Sequence, residues 1–343
     1  MSRRYLVVLL ALMSVMLLGP AIAAVQAQAA DAEKRATPST PWGDPDIQGT
    51  FTFRTITPLE RPSALAGKET LDSEEAENFE ASENIRLNRD LFDPLSPDYQ
   101  AGYQPRSEGG VLSYNEFWYE RGTELTKDNR TALIVDPPDG RIPYTEEARK
   151  QRSVTRLKLR DGFADSYTDR SLSDRCIMGF NSGPPMTASA YNNNVQIWQI
   201  PGYVVLLNEM VHNTRIISTD GRPHLNIRQW AGDSRGHWEG NTLVVETTNF
   251  LRETSLRGST ADTQLVERFT RIDADTVMYE FTAEDPNSYT RPWTARMPLR
   301  RTDGSLFEYA CHEGNYGLYG ILAGARAKEK AAEEAEKTGQ RIP

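Results

Sequence analysis

The stretch QLVERFTRIDADTVMYEFTAE, residues 264–284, decides the fold. Two runs rich in β-branched and aromatic residues flank the turn Asp273-Ala274-Asp275, which predicts an antiparallel β-hairpin. In its second run Val277, Tyr279 and Phe281 share one face, while Glu280 and Thr282 share the other. Because successive side chains of a strand point to opposite faces, this alternation indicates a sheet with one buried face.

The hairpin belongs to a series in the second half of the chain. Further units of two apolar runs joined by a turn pair lie at 195–210 around Pro201-Gly202, 238–250 around Gly240-Asn241, and 293–311 around Asp303-Gly304. At least eight consecutive strands favour a closed barrel, because an open meander would leave exposed edges. We therefore predict a mainly β fold, an antiparallel meander or barrel of lipocalin-like style, over residues 166–318.

The chain on either side of the predicted barrel has a different residue composition. Residues 31–165 are rich in proline, aspartate and turn pairs, which predicts a long irregular segment wrapped around the barrel. One helix within it should begin at the N-cap Asp72 with Glu75 completing a capping box, and another should run from Thr145 through Lys150. Residues 319–343 predict a C-terminal helix or tail.

Residues 1–23 have the organisation of a cleavable signal peptide. Arg3 and Arg4 precede the apolar run Tyr5–Leu18, and Ala21-Ile22-Ala23 supplies the small residues that signal peptidase requires. The run is shorter than the ~20 residues that cross a bilayer, which argues against a membrane anchor. We expect export to the periplasm or the medium, by the Sec route in preference to Tat, and no membrane attachment after cleavage.

The charge balance and the motif content exclude several function classes. The formal net charge is -9, whereas nucleic-acid binding needs clustered lysine and arginine. The sequence carries no P-loop, no dinucleotide fingerprint, no G-x-S-x-G elbow and no H-E-x-x-H pair. We therefore predict no nucleic-acid partner, no cofactor and no metal site.

The chain has two cysteines, Cys176 and Cys311. In an oxidising compartment two thiols more often pair than stay free, so we predict a disulfide between them. The alternative is two buried, unpaired side chains, because sequence does not show whether their Cα atoms lie close together.

The densest polar cluster of the sequence runs from Tyr309 to Tyr316. A histidine beside a carboxylate can transfer protons near neutral pH, so His312 and Glu313 are candidate catalytic groups. Glu267 is a third candidate, because alternation turns it toward the apolar face of its strand. The structural alternatives are a polar cap at a strand end for the first two, and an internal ion pair of Glu267 with Arg271 or another arginine.

Candidate ligand-binding residues surround this cluster. Tyr309, Asn315 and Tyr316 belong to the cluster itself, and Arg175 or Arg235 would steady an anionic group. Arg235 lies in 233–238, which also has the composition of a structural turn.

Four segments resemble a widespread group of exported bacterial proteins that has no assigned activity. They are PWGDPDIQG at 41–49, residues 130–143, residues 235–250, and YACHEGNY at 309–316. The resemblance spans nearly the whole chain after the signal peptide, and it implies one integral fold that includes the irregular N-terminal half. It implies no activity and no catalytic residue.

These observations favour a protein that handles a small organic molecule. In one hypothesis it is an enzyme that performs cofactor-free acid/base chemistry, as a lyase, isomerase or hydrolase. The alternative is a non-catalytic periplasmic binding protein, and a third class is an envelope interaction protein with an aromatic surface. The concentration of titratable groups at one predicted strand end favours the enzyme over the carrier.

Overall fold

Ten β-strands form one sheet in the part of the chain that the computed structural model describes. That part comprises residues 38–88, 90–92, 116–160, 164–252, 254 and 256–338. The strands are β1 (Gly49–Thr52), β2 (Ile134–Asp136), β3 (Asn194–Ile200), β4 (Tyr203–Asn208), β5 (Thr214–Ser218), β6 (Asp233–Glu239), β7 (Thr242–Thr248), β8 (Gln264–Arg271), β9 (Thr276–Glu284) and β10 (Trp293–Arg301). The predicted signal peptide, residues 1–23, lies outside the described residues.

Nine of these strands close into a barrel. The sheet order is β1-β3-β4-β5-β6-β7-β8-β9-β10, and β1 pairs with β10 as well as with β3. Phe51 of β1 lies opposite both Arg301 and Val195, while β2 adds to β10 outside the closed ring. The predicted mainly β barrel is confirmed. The closing strand β1 comes from the segment that was expected only to wrap around the barrel.

One pair of strands in the barrel is parallel. Strands β5 and β6 meet in parallel at Ser218 and Arg235, and the other pairs are antiparallel, so the barrel is mixed. The connection between the two strands covers residues 219–232. A chain segment of this length can return to the start of its neighbour, as a parallel pairing requires.

Alternating burial along β8, β9 and β10 builds the core. The inner faces carry Leu265 and Phe269 of β8, Val277, Tyr279 and Phe281 of β9, and Trp293, Ala295, Met297 and Leu299 of β10, all of them buried. For β9 this is the face that the sequence alternation predicted. Side chains therefore fill the inside of the barrel between these strands.

The predicted last hairpin, residues 293–311, is only half formed. Strand β10 ends at Arg301, and residues 302–315 contain no strand. The reason is the closure of the barrel, since β9, β1 and β2 already occupy the pairing positions beside β10. The predicted second strand of this hairpin, which should end at Cys311, is therefore absent, and its prediction is wrong.

Three α-helices lie among the described residues, α1 (Ser73–Leu87), α2 (Glu146–Arg160) and α3 (Tyr316–Thr338). The predicted capping box of α1 is confirmed, since Asp72 accepts the Glu75 amide at 2.9 Å and Glu75 accepts the Asp72 amide at 3.1 Å. Helix α2 extends ten residues beyond its predicted end. None of the described helices combines the length and apolar character needed to span a membrane.

The chain divides into two units, Met1–Asp46 and Ile47–Pro343. In the described part of the first unit, Ser39 pairs with Pro45 across a short turn. The Trp42 indole N–H donates to the Asp44 carboxylate at 2.9 Å inside this turn. The second unit contains the whole barrel and all three helices.

The predicted disulfide between Cys176 and Cys311 is confirmed. Their Cα atoms are 5.6 Å apart and a bond joins the two sulfurs. It connects the chain that leads into β3 with the segment that follows β10. The segment 302–315, which forms no strand, is thereby fixed near its far end.

Candidate functional site

A cavity of about 740 Å³ lies where β1 ends, β3 begins and β4 ends, with residues 302–309 along its other side. We call it the aromatic groove. Its lining residues are Arg54, Phe117, Trp118, Tyr119, Glu120, Tyr191, Asn192, Asn194, Glu209, Thr302, Gly304, Ser305, Phe307 and Tyr309. They come from five separate stretches of the chain, which the barrel and its loops bring together.

Six of the fourteen lining residues are aromatic. Tyr191 and Tyr309 stack with ring centroids 6.3 Å apart and an angle of 18° between their planes. Trp118 is 62% exposed and Phe307 is 72% exposed. Large apolar side chains left open to water beside a cavity are typical of a binding surface.

Glu209 is the buried acid of the groove. It is 4% exposed, and it follows directly after β4. Its Oε1 atom accepts the Phe307 amide at 3.0 Å, and its Oε2 atom accepts the Asn194 side-chain N–H at 2.7 Å. No cationic side chain among the described residues forms an ion pair with it. A buried charge usually has such a partner, so this carboxylate is unusual.

Two asparagines beside Glu209 have unsatisfied polar atoms. Because the Asn194 Nδ2 atom donates to the carboxylate, its Oδ1 atom points elsewhere, and it accepts no hydrogen bond from the described residues. Asn208, at the end of β4, has no partner for either side-chain polar atom within the same part of the chain. Buried polar atoms of this kind are normally bonded to protein, water or ligand.

The turn after Glu209 holds two residues in a strained conformation. Val211 and His212 have φ angles of 58° and 48°, and positive φ is a clear outlier for a β-branched residue. The His212 Nε2 atom accepts the Tyr309 amide at 3.1 Å, which places the ring proton on Nδ1. Such strain persists where the surrounding structure enforces it, often at functional sites.

A second cavity of about 380 Å³ adjoins the groove. It is lined by Leu207, Asn208, Glu209, His212, Leu306, Phe307 and Glu308. Glu209 and Phe307 line both cavities. The buried carboxylate thus lies between an aromatic compartment and a smaller one that contains an imidazole.

The other charges of the groove compensate each other. Arg54 and Glu120, which both line it, form an ion pair at 2.8 Å. Arg54 is the only cationic side chain among the lining residues that the structure describes. The described lining therefore has one uncompensated negative charge, on Glu209.

The predicted cluster 309–316 is divided by the structure. Tyr309 lines the groove, whereas His312 and Glu313 are exposed in the turn before α3 and line neither cavity. Asn315 accepts the Leu318 amide at 3.3 Å at the start of α3 and donates to the Asp174 carbonyl at 3.1 Å. Tyr316 is largely exposed on the first turn of α3.

Glu267 is sealed inside the barrel, where it is 0% exposed. Arg215 donates to it at 2.6 and 2.9 Å, and the Tyr279 hydroxyl donates to it at 2.7 Å. The internal ion pair predicted as the structural alternative is present, with Arg215 as its arginine. Burial lowers the pKa of Arg215, but the Glu267 carboxylate raises it more, so the guanidinium stays charged.

The remaining predicted ligand-binding residues lie elsewhere. The Arg175 guanidinium lies over the Tyr167 ring at 5.2 Å, and Arg235 pairs with Asp233 at 2.9 Å. Asp233 also bonds to the His224 ring at 2.9 Å, which fixes the connection between β5 and β6. Residues 233–238 belong to β6, so the predicted structural turn there is wrong.

Sequence reasoning missed Glu209, Asn194 and His212 as a group. One feature points to Glu209 in retrospect. The apolar run of β4 ends in Asn208-Glu209, and His212-Asn213 follow within four residues. The contact of this turn with residues 307–309 depends on the fold and has no local pattern. Among the described residues, no group of three or more histidine, cysteine, aspartate or glutamate side chains is arranged to hold a metal ion.

No protein-family model matches this chain, and no curated protein is similar enough to it to count as a match. Function is therefore inferred from the chemistry of the site.

Proposed function

We propose that the protein binds a small organic molecule in the aromatic groove. The observation that carries this proposal is Glu209, a buried carboxylate at a cavity lined by six aromatic side chains. Aromatic rings supply apolar contact area, and a few buried polar groups fix the orientation of a ligand. The volume of about 740 Å³ falls within the range of roughly 300–1,000 Å³ that is usual for such sites.

We further propose that binding takes place after export, in the periplasm or outside the cell. The predicted signal peptide supports export, and so does the resemblance to a group of exported bacterial proteins. The disulfide between Cys176 and Cys311 supports an oxidising compartment, where such bonds persist.

A second candidate function is acid/base catalysis on the bound molecule without a cofactor. The observation that favours it is the strained turn that places His212 beside the cavity shared with Glu209. Glu209 would accept a proton from the ligand and His212 would exchange one through Nδ1. These two residues would then take the catalytic roles that were predicted for His312 and Glu313. A Glu209→Gln variant that still binds ligand but loses turnover would identify this activity.

A thermal-shift screen of small metabolites tests the binding proposal. For each ligand that raises the melting temperature of the parent protein, the shift is measured again in the groove variants Trp118→Ala and Phe307→Ala. The matched control is Trp198→Ala, a partly exposed tryptophan on β3 that does not line the groove. All three truncate exposed rings, so their unliganded melting temperatures should stay close to that of the parent protein.

We expect ligand-induced stabilisation to fall in both groove variants and to persist in the control. Binding to the folded state stabilises by RT ln(1 + [L]/Kd), so a weaker affinity appears directly as a smaller shift. A ligand that stabilises all three variants equally binds elsewhere, and finding only such ligands would contradict the proposal.

A further inference from the structure

We infer that the aromatic groove takes an organic cation that carries N–H donors, such as a primary ammonium, an amidinium or a guanidinium group. The inference rests on the proposed function and specifies its ligand class. Three features of the groove support it: its uncompensated charge, its aromatic lining and the remaining lone pairs of the Glu209 carboxylate.

The charge of the groove selects a positively charged partner. Glu209 is buried, and the described residues offer it two hydrogen-bond donors but no cation. The one arginine in the described lining is already paired with Glu120 at 2.8 Å. A cationic ligand would supply the missing counter-charge, whereas an anionic ligand would face an unscreened carboxylate.

The aromatic lining points to the same sign of charge. The face of an aromatic ring is electronegative and attracts a cation placed above it. Trp118 and Phe307 present exposed rings, and Tyr191 and Tyr309 are stacked nearby. A neutral sugar would also pack on these rings, but it would leave the Glu209 charge unpaired.

The remaining lone pairs of the Glu209 carboxylate narrow the class of cation. The Oε1 and Oε2 atoms of Glu209 each accept one hydrogen bond from the described residues, whereas a carboxylate offers about four lone-pair sites. A quaternary ammonium has no N–H to donate. A primary ammonium has three donors and a guanidinium has several, so either can add charge-assisted hydrogen bonds to the Glu209 carboxylate.

Three probes of similar size separate charge from shape. Isothermal titration calorimetry measures the affinity of the mature protein for each probe. The probes are 2-phenylethylammonium, 2-phenylethanol and 3-phenylpropanoate, each at up to about 10 mM. We expect the ammonium probe to bind at least about tenfold more tightly than the alcohol, since a charged hydrogen bond is roughly twice as strong as a neutral one. The carboxylate probe should bind most weakly.

A matched pair of variants tests whether Glu209 causes the preference for the ammonium probe. Glu209→Gln removes the buried charge with little change in shape, and Glu246→Gln removes the same charge from the exposed face of β7. We expect the first to lose most of the tenfold preference for ammonium while still binding the alcohol. The second should behave like the parent protein. The probe series on the parent protein decides the question even if Glu209→Gln fails to fold.

The outcomes distinguish this inference from the function on which it rests. Equal binding of the ammonium and the alcohol would overturn the cation inference and leave groove binding intact. Tighter binding of the carboxylate probe would do the same. If none of the three probes binds, the inference is overturned, and the proposed function falls only if the metabolite screen also yields no groove ligand.

Discussion

At the residue scale, two buried glutamates of this protein have opposite environments. Glu267 lies inside the barrel, where Arg215 and Tyr279 satisfy its carboxylate. Glu209 is nearly as buried, but it lies at a cavity and has no cation among the described residues. The same side chain is therefore a structural element in one place and a candidate recognition group in the other.

Replacing Glu267 tests its structural role. In Glu267→Gln the charge of Arg215 remains buried without its partner. Removing one member of a buried ion pair lowers the free energy of unfolding by about 3–5 kcal/mol. We expect urea unfolding to show a loss of this order. The same change at the exposed Glu246 should alter stability by less than about 0.5 kcal/mol. A Glu267→Gln protein as stable as the parent would show that the pair contributes nothing.

Replacing His312 tests the residue that the sequence favoured for catalysis. His312 is exposed and lines neither cavity, so we expect His312→Gln to leave both the melting temperature and ligand affinity nearly unchanged. Calorimetric titration and thermal unfolding measure the two quantities. A loss of turnover by roughly 10²-fold or more in a stable variant would restore the acid/base role predicted from the sequence.

Single residues also show how much of the site the sequence could reveal. Tyr309 was predicted to bind ligand and does line the groove, and the pairing of Glu267 with an arginine was foreseen from strand alternation. Glu209 was missed because its partners, Asn194 and Phe307, come from stretches 15 and 98 residues away. Local patterns carry no information about which distant loops meet.

At the scale of elements, the local hairpins were predictable and the closure of the barrel was not. Each hairpin has a turn pair between two short apolar runs, and for β6 and β7 the turn is Gly240-Asn241, with φ of 57° at the glycine. Strand β1 has only four residues and pairs with strands far along the chain. Its pairing leaves no place beside β10 for the second strand of the predicted hairpin 293–311.

The disulfide allows a test at this scale. Cys311 fixes the end of the segment that carries Phe307 and Tyr309 into the groove. The bond closes a loop of 134 intervening residues (311 - 176 - 1), worth about 4–5 kcal/mol in the chain-entropy model. We expect reduction to lower the melting temperature and to weaken groove ligands. A paired Cys176→Ala, Cys311→Ala variant should behave like the reduced protein, and an unchanged melting temperature would refute the stabilising role.

At the scale of the whole molecule, the barrel supports the proposed binding site, but the site does not lie inside the barrel. Its interior holds packed side chains and the Glu267 ion pair, whereas the groove is built from strand ends and loops beside it. Sites on loops held by a rigid scaffold are a common arrangement. The sequence predicted the scaffold, because strand alternation is a local property, but it did not predict where beside the scaffold the cavity forms.

Export is also a property of the whole molecule. N-terminal sequencing of protein recovered from the periplasm or the medium should find a start between Ala24 and Ala30, which corresponds to cleavage after one of the small-residue motifs. These residues lie outside the described part of the chain. A mature protein that keeps Arg3 and Arg4 would contradict both the signal peptide and the proposed compartment.

The central claim, that the groove binds a small organic molecule, is tested most directly by an amide-resolved NMR titration with the tightest ligand from the metabolite screen. The Phe307 amide donates to Glu209 at 3.0 Å, so a ligand that engages this carboxylate must change the environment of that proton. We expect saturable shifts at the amides of Asn194, Glu209 and Phe307 and none at Glu246. Saturable shifts elsewhere, with these three amides unmoved, would contradict the account.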